Sequence, residues 1–174
     1  MTDLPFLDPY RLVTGSSRDQ AQLLTFLRCT YQELFPQQKA FDHLAQTVEQ
    51  YFSARSPLWW VQSRLELNPV PVAGLWLGNA IDQVTGERYS HIFMLYVVPT
   101  HRRQGIATAL LRHAQQWSQA RGERQLGLQV FPHNTPALEL YQKLGFQTHA
   151  ITMLQTWPPR TNVQTHCQTV LDPN

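Results

Sequence analysis

Residues 91–120 read HIFMLYVVPTHRRQGIATALLRHAQQWSQA, and this stretch decides the fold. An apolar run from Ile92 to Val98 has the composition of a strand and stops at Pro99. A polar, basic loop follows, and from Gly105 the apolar residues recur at helical spacing. The stretch therefore predicts a strand, a turn and a helix in succession.

The turn between this strand and helix is predicted to bind an anion. The first N–H groups of a helix have no acceptor within the helix and carry the positive end of its dipole. Arg102 and Arg103 add positive charge, while Gly105 and Ala107 keep bulky side chains away from the backbone. The spacing fits neither G-x-x-x-x-G-K-[ST] nor G-x-G-x-x-G, which disfavours the two common nucleotide-binding loops. A solvated connection between strand and helix is the alternative interpretation.

Composition indicates one globular domain over residues 1–174, with 43% hydrophobic residues to fill a core. A net charge of +2 and 15% charged residues lack the broad basic surface of nucleic-acid binders. Cys29 and Cys167 are far apart and lack metal-ligand spacing, and no secretion signal or membrane-spanning run is recognisable. We therefore expect a cytoplasmic protein with no nucleic-acid and no membrane partner.

Periodicity predicts further strands and helices on both sides of the opening stretch. Upstream we expect a strand, two helices and two strands, at about residues 10–13, 18–36, 41–52, 58–67 and 70–82. Downstream we expect a strand at 125–131, a helix capped by Thr135 and ended by Gly145, and strands at about 147–156 and 165–170. Upstream strands joined by short turns should pair antiparallel, whereas strand–helix–strand implies a parallel crossover.

Two separated segments resemble the GNAT superfamily of acetyl-coenzyme-A-dependent N-acyltransferases. Residues 102–107, R-R-Q-G-I-A, fit the [RQ]-x-x-G-x-[GA] loop of that family. Residues 134–146 resemble its N-x-x-A-x-x-L-Y-x-x-L-G-F segment and follow the loop by about 30 residues. The resemblance implies that residues 91–154 are the cofactor half of the domain and that residues 10–90 are the acceptor half. Residues 10–90 agree with the family only in the order of their strands and helices.

The family resemblance implies a mixed α/β fold of the α+β kind. Its sheet is mostly antiparallel and has helices on both faces, but its fourth and fifth strands are parallel and splay apart. Pantetheine enters between these two strands and hydrogen-bonds like an additional strand. In this chain only the strands near 92–98 and 126–131 are joined by a helical crossover, so the opening should lie between them.

The resemblance also assigns residues to acetyl-coenzyme A. Backbone of the fourth strand contacts the pantetheine arm, loop N–H groups bind the pyrophosphate, and the second segment faces the cofactor. The cofactor-binding residues implied in this way are Leu95, Tyr96, Val97, Arg102, Arg103, Gln104, Gly105, Ile106, Ala107, Thr108, Asn134 and Tyr141.

Two residues are candidates for proton transfer. By resemblance, Tyr141 lies beside the cofactor sulfur and protonates the leaving thiolate; a tyrosine packed under the sheet with a satisfied hydroxyl is the alternative. Some members carry a glutamate base where this chain has Gln129, which cannot act as a base. Others carry one eleven residues before the loop, where this chain has His91. Histidine titrates near neutrality and could take the amine proton, although His91 could simply lie at the sheet edge.

Weaker candidates for the base are Glu66 and Glu87, and a mechanism without a side-chain base is also compatible with the sequence. Trp59, Trp60 and Trp76 fall on predicted strands and either line the acceptor site or belong to the core. The histidines lack ligand spacing with one another, so we expect no metal site.

The implied activity is N-acetyl transfer from acetyl-coenzyme A to a primary amine by direct attack in a ternary complex. The acceptor would be a small-molecule or peptide amine, and the protein a monomer or a homodimer. Two alternatives stay open. Gln129 favours a non-catalytic acyl-coenzyme A sensor or interaction module, and an acyltransferase that uses a longer acyl-coenzyme A has the same sequence features.

Overall fold

The computed structural model describes residues 7–157, which form a five-stranded sheet and four α-helices. The strands are Tyr10–Thr14 (β1), Leu58–Ser63 (β2), Pro71–Ile81 (β3), Arg88–Val97 (β4) and Leu126–Leu128 (β5). The helices are Gln20–Leu34 (α1), His43–Tyr51 (α2), Ile106–Ala120 (α3) and Thr135–Lys143 (α4). Short 3₁₀ helices cover Ser17–Asp19 and Pro99–His101.

The strands lie side by side in chain order, and the predicted directions are confirmed. β1 to β4 pair antiparallel with their neighbours, whereas β4 and β5, joined through α3, pair in parallel. The fold is therefore the mixed α/β fold expected from the sequence. None of the helices within residues 7–157 is long and apolar enough to cross a membrane.

The sheet buries side chains on both faces, which explains why its strands read as nearly continuous apolar runs. One core, which we call the α3–α4 core, joins Leu110 and Leu111 of α3 to the sheet and has α4 packed against it. The other, the α1–α2 core, joins Phe26 and Leu27 of α1 and Leu44 of α2 to the opposite face. The predicted arrangement of helices on both faces is confirmed.

The three strand tryptophans all belong to these cores. Trp59 lies in the α3–α4 core, whereas Trp60 and Trp76 lie in the α1–α2 core. All three side chains are buried, so the alternative that they line an acceptor site is wrong.

A β-bulge in β4 changes which core its side chains enter. Trp76 of β3 pairs with Met94, but Leu77 pairs with Ile92, so Phe93 is an extra residue. Ile92 and Met94 would share one face of a regular strand because they are two residues apart. Instead Ile92 packs in the α3–α4 core, while Phe93 and Met94 both pack toward α1 and α2.

β4 and β5 separate after three residue pairs. Their pairing runs from Ser90 opposite Leu126 to Ile92 opposite Leu128 and then ends, although β4 continues to Val97. The two strands thus form a wedge-shaped opening whose closed end is at Ile92. This confirms the predicted opening between the fourth and fifth strands.

Two buried carboxylates hold the closed end of this wedge together. Glu123, just before β5, accepts hydrogen bonds from the hydroxyl of Ser90 on β4 and from Arg121. Asp82, after β3, accepts from the backbone N–H of Val84 at 2.8 Å and from Gln125 at 3.0 Å. These hydrogen bonds, the Val84 bond first, lower the pKa of Asp82, so its carboxylate is charged at neutral pH.

Several predicted strands are shorter than expected, and one is absent. β2 ends at Ser63 and β5 at Leu128, and the expected strand at 147–156 is wrong, because residues 146–157 have no regular secondary structure. Alternating apolar residues form a strand only beside a partner, and the three-residue β5 offers a very short edge. Ile151 and Met153 are accordingly exposed. The expected strand at 165–170 lies outside the described residues.

Gly74 on β3 leaves the space that the Trp60 indole occupies. A Cβ at this position would overlap the six-membered ring of Trp60 and lie 3.1 Å from the methyl group of Met94. Trp60 is buried and its ring contacts Phe26, so it cannot move aside without repacking. We expect Gly74→Ala to lower the free energy of unfolding by about 1–3 kcal/mol, measured by urea denaturation.

The Trp60→Leu background provides the control, because leucine removes the ring atoms that the new methyl group would meet. In that background Gly74→Ala should cost less than about half as much, since contacting positions are energetically coupled. An equal cost in both backgrounds would contradict this explanation of Gly74.

Candidate active site

The register of β3 and β4 determines where the backbone of β4 points. The N–H of Val98 donates to the carbonyl of Val72 at 2.9 Å, which makes these two residues a hydrogen-bonded pair. Bonded and non-bonded pairs alternate along an antiparallel ladder. Tyr96, two residues earlier, therefore also forms a hydrogen-bonded pair, with Gly74 opposite it. Its backbone N–H and carbonyl groups point to β3.

Leu95 and Val97 are the non-bonded positions, so their backbone groups point away from β3 toward the wedge. β5 ends at Leu128 and does not reach them. The carbonyl of Val97 accepts a hydrogen bond from Nε of Arg102 at 2.8 Å. Of the three β4 residues assigned to pantetheine by resemblance, Leu95 and Val97 thus face the opening through their backbones, and Tyr96 does not.

The loop after β4 presents a run of free backbone N–H groups. Arg103 has φ 63° and Gly105 has φ 82°, both in the left-handed region, and such reversals turn successive N–H groups to one side. The first backbone hydrogen bond after the loop runs from the N–H of Ala109 to the carbonyl of Gly105 at 3.0 Å. Within residues 7–157, the N–H groups of residues 103–108 have no backbone acceptor. The loop is therefore built to receive an anion.

Tyr10 of β1 anchors this loop to the far edge of the sheet. Its buried hydroxyl donates to Oε1 of Gln104 at 2.6 Å and lies 2.8 Å from Nδ1 of His101. These two contacts tie the phenol of Tyr10 to both ends of the turn that precedes α3. Gln104, assigned to the cofactor by resemblance, uses its side-chain oxygen in this contact, which leaves its backbone N–H and its side-chain amide N–H groups as donors for an anion.

The side chain of Arg102 is turned away from the loop toward α1. Its guanidinium group forms hydrogen bonds of 2.8 and 2.6 Å with the two carboxylate oxygens of Glu33. The phenol of Tyr96 donates to the same carboxylate at 2.9 Å, and its pKa is raised by burial and by Glu33. Arg103, in contrast, is exposed and has no ion-pair partner in the described part of the chain. Arg103 is therefore the loop arginine free to contact a phosphate.

The ends of α4 explain the second sequence motif. Asn134, not Thr135 as predicted, is the N-cap, and its side-chain oxygen accepts from the N–H of Ala137 at 3.4 Å. At the other end Gly145 has φ 87°, and the N–H of Phe146 donates to the carbonyl of Tyr141 at 3.0 Å. This is a Schellman motif, which requires glycine at the left-handed position and brings the residue after it onto the last helical turn.

That motif fixes the ring of Tyr141. The ring of Phe146 lies 5.6 Å from it in an edge-on arrangement, and Tyr141 packs against the α3–α4 core. Its hydroxyl has no hydrogen-bond partner among residues 7–157 and is not among the fully buried polar atoms, so water or a ligand can reach it. Burial raises the pKa of Tyr141 to about 12, so the phenol is protonated at neutral pH and can donate a proton.

His91 lies at the closed end of the wedge, opposite Gly127 of β5. Its ring is 5.3 Å from that of Phe93, which places it on the α1–α2 side of the sheet. Nδ1 is buried and has no hydrogen-bond partner in the described structure. Burial lowers the pKa of His91 below its ordinary value of 6.5, so the imidazole is neutral at pH 7 and can accept a proton.

The two candidates for proton transfer therefore lie on opposite faces of the sheet. Tyr141 is on the α3–α4 side and His91 on the α1–α2 side. The other candidate bases are exposed, and Glu87 pairs with Arg124 at 3.6 Å. Within residues 7–157 no group of three or more histidine, cysteine, aspartate or glutamate side chains could hold a metal ion.

Sequence reasoning missed the contacts that shape the loop. Glu33 is 69 residues from Arg102, and Tyr10 is 94 residues from Gln104. Neither residue belongs to a local motif, and only the tertiary fold brings them to the loop.

Comparison with known proteins places these features in one family. The profile of the acetyltransferase (GNAT) family matches residues 21–146. Human N-acetyltransferase 8 is 30% identical over 115 residues, which are 66% of this chain and 49% of that protein, so the chain spans about half the length of this relative.

Solved acetyltransferase structures share the fold. A putative acetyl transferase from Pyrococcus furiosus superposes with a TM-score of 0.70 at 21% identity, over 85% of this chain and 99% of the other. The enzyme AAC(6')-Iy, in complex with the bisubstrate analogue CoA-S-monomethyl-acetylneamine, superposes with a TM-score of 0.62 at 16% identity, over 86% and 98% of the two chains.

Gly105→Ala tests the anion-binding loop, with Gly86→Ala as the matched control. Both glycines have positive φ, and a Cβ on either would meet no atom within 4 Å, so each substitution costs about 1 kcal/mol through backbone strain alone. We expect similar losses of stability in the two variants. Only Gly105→Ala should weaken coenzyme A binding, by about tenfold in isothermal titration, because its methyl group lies beside the free N–H groups. Equal dissociation constants in the two variants would refute the assignment of the loop.

Proposed function

Because the chain belongs to the acetyltransferase (GNAT) family, we propose that it transfers an acetyl group from acetyl-coenzyme A to a primary amine by direct attack in a ternary complex. The observation that carries this proposal is the succession along the chain of backbone groups without a strand partner at Leu95 and Val97, beyond the last pair of β4 and β5, and of free N–H groups at residues 103–108. His91 lies in the last paired part of β4, and Tyr141 packs against the core on the α3–α4 side of the same sheet.

These backbone groups fit the two polar parts of coenzyme A. The N–H and carbonyl groups of Leu95 and the N–H of Val97 would bond the amide groups of the pantetheine arm as a neighbouring strand does. The N–H groups of residues 103–108 would hold the pyrophosphate, and Arg103 would add its charge. The bound thioester supplies an activated acetyl group.

The role proposed for His91 concerns the proton that the acceptor amine must lose. At pH 7 an alkylamine of pKa near 10.4 is neutral in fewer than about one molecule in 10³, a deficit of about 4–5 kcal/mol. The neutral fraction of the amine would therefore be the form that attacks, and the neutral imidazole of His91 would accept, directly or through a water molecule, the proton that the nitrogen loses as its bond to the acetyl carbon forms.

Tyr141 would protonate the departing thiolate. Its phenol is protonated at neutral pH and has no partner within the described residues, so its proton is available. The amine would approach on the α1–α2 side, and the sulfur would leave toward α4. Attack and departure on opposite sides of the sheet need no acyl-enzyme intermediate.

The same fold could instead bind acyl-coenzyme A without turnover, and Gln129, where some members have a glutamate base, favours that second candidate. An acyltransferase for longer acyl chains is the third. Free thiol release from acetyl-coenzyme A and from longer acyl-coenzyme A species, measured with a panel of amines, separates the three. Amine-dependent release that is fastest with acetyl-coenzyme A supports N-acetylation.

Tyr141→Phe tests the proton donor. The variant keeps the ring contact with Phe146 but loses the proton, so kcat should fall about 100-fold, in the range of general-acid catalysis. The dissociation constant of acetyl-coenzyme A should stay within about twofold. Tyr31→Phe, which removes a hydroxyl from α1, is the matched control and should keep the wild-type kcat. An unchanged kcat in Tyr141→Phe would remove Tyr141 from the mechanism.

The pH dependence of kcat tests His91. Because its pKa lies below 6.5, the acidic limb of the profile should fall below pH 6.5, and kcat should be independent of His91 protonation at pH 7 and above. His91→Ala should lower kcat about 100-fold and remove this limb, and added imidazole should restore part of the rate. If the pH profile of kcat for His91→Ala matched that of the wild-type protein, another group would take the proton.

A further inference from the structure

A cavity of about 230 Å³ lies between the end of α2 and strands β3 and β4. We call it the α2 pocket. The residues that matter for its chemistry are Gln50, Tyr51, Arg55, Gly78, Asn79 and Phe93. The cavity is smaller than the roughly 300–1,000 Å³ of sites for drug-sized ligands, so it suits one end of a small molecule.

Phe93, the extra residue of the β4 bulge, forms the aromatic wall of the α2 pocket. Its ring stacks on Trp76 at 4.7 Å and on Tyr51 at 5.4 Å. It also lies across Gly78, where any Cβ would collide with it. The bulge, the stacking partners and the glycine together fix the position of this ring in the lining of the cavity.

The same ring connects the α2 pocket to the proposed chemistry. Phe93 is the first residue of β4 beyond the closed end of the wedge, and its ring lies 5.3 Å from the imidazole of His91. Both side chains are on the α1–α2 side of the sheet. A molecule held in the α2 pocket would therefore need to pass only one aromatic ring to bring an amine to His91.

The charge of the α2 pocket favours an anion. Arg55 is the charged side chain in its lining, and no aspartate or glutamate lines it. Arg55 has no ion-pair partner among residues 7–157, while Gln50 and Asn79 offer amide groups beside it. Further ammonium groups of a polycationic acceptor would find no carboxylate there, only the like charge of Arg55.

We propose that the α2 pocket binds a carboxylate of the acceptor, so that the substrate is a primary amine with a carboxylate elsewhere in the same molecule. This inference rests on the proposed acetyl transfer and narrows its acceptor class. Arg55 forms a charge-assisted hydrogen bond to the carboxylate, and the Phe93 ring covers the apolar part between carboxylate and amine. Polyamines are then poor acceptors.

Matched acceptors test this specificity. The panel contains ω-amino acids of three to six carbons, their primary amides and spermidine, and the readout is kcat/KM from thiol release with acetyl-coenzyme A. We expect at least one acid to exceed its amide about tenfold, the order of one charge-assisted hydrogen bond. Arg55→Ala should lower that acid-to-amide ratio about tenfold, and Arg55→Lys should keep most of it. Arg28→Ala, which removes an exposed charge from α1 outside the cavity, should leave the ratio unchanged.

Several outcomes would overturn the assignment. Preference for the amides or for spermidine, or an acid-to-amide ratio that Arg55→Ala does not change, would remove the α2 pocket from acceptor binding while leaving acetyl transfer in place. If no amine in the panel reacts, saturation-transfer NMR of the amino acids with the coenzyme A complex of the wild-type protein tests whether they bind. Lack of binding would refute the α2 pocket as a carboxylate site. Failure to bind acetyl-coenzyme A would instead refute the proposed function.

Discussion

The separation of β4 from β5 after three residue pairs is the constraint on which the proposed site depends. Hydrogen bonds from Ser90 to buried Glu123 and from Gln125 to buried Asp82 tie β4 and the end of β3 to the segment just before β5. Beyond Ile92, the backbone groups of Leu95 and Val97 lack the partner that a regular sheet would supply. Unpaired backbone groups of this kind bind an extended, amide-containing ligand at little cost in reorganisation.

The β-bulge at Phe93 gives this wedge two chemically different sides. It directs Phe93 and Met94 into the α1–α2 core, next to His91, while Ile92 stays with α3. Tyr141 of α4 packs against the core on the other side of the sheet. Burial lowers the pKa of His91 and raises that of Tyr141, because it favours the neutral form of each group, so at neutral pH the imidazole has a free lone pair and the phenol keeps its proton.

The parts of the site that the sequence predicted are those set by local backbone chemistry. Gly105 and Gly145 mark turns that need positive φ, so the anion-binding loop and the end of α4 can be recognised without tertiary information. The pairing of Glu33 with Arg102 and the bulge at Phe93 depend on strands and helices distant in sequence. The expected strand at 147–156 was wrong because alternation of apolar residues does not supply a neighbouring strand.

Amide hydrogen exchange measured by NMR, with and without coenzyme A, tests most directly whether the cofactor lies in the wedge. We expect coenzyme A to slow exchange at Leu95, Val97 and residues 103–108, whose N–H groups lack backbone partners in the free protein. Exchange at Tyr96, which is already paired with Gly74, should hardly change and serves as the internal control. Protection confined to residues outside the wedge and the loop would contradict the proposed cofactor site.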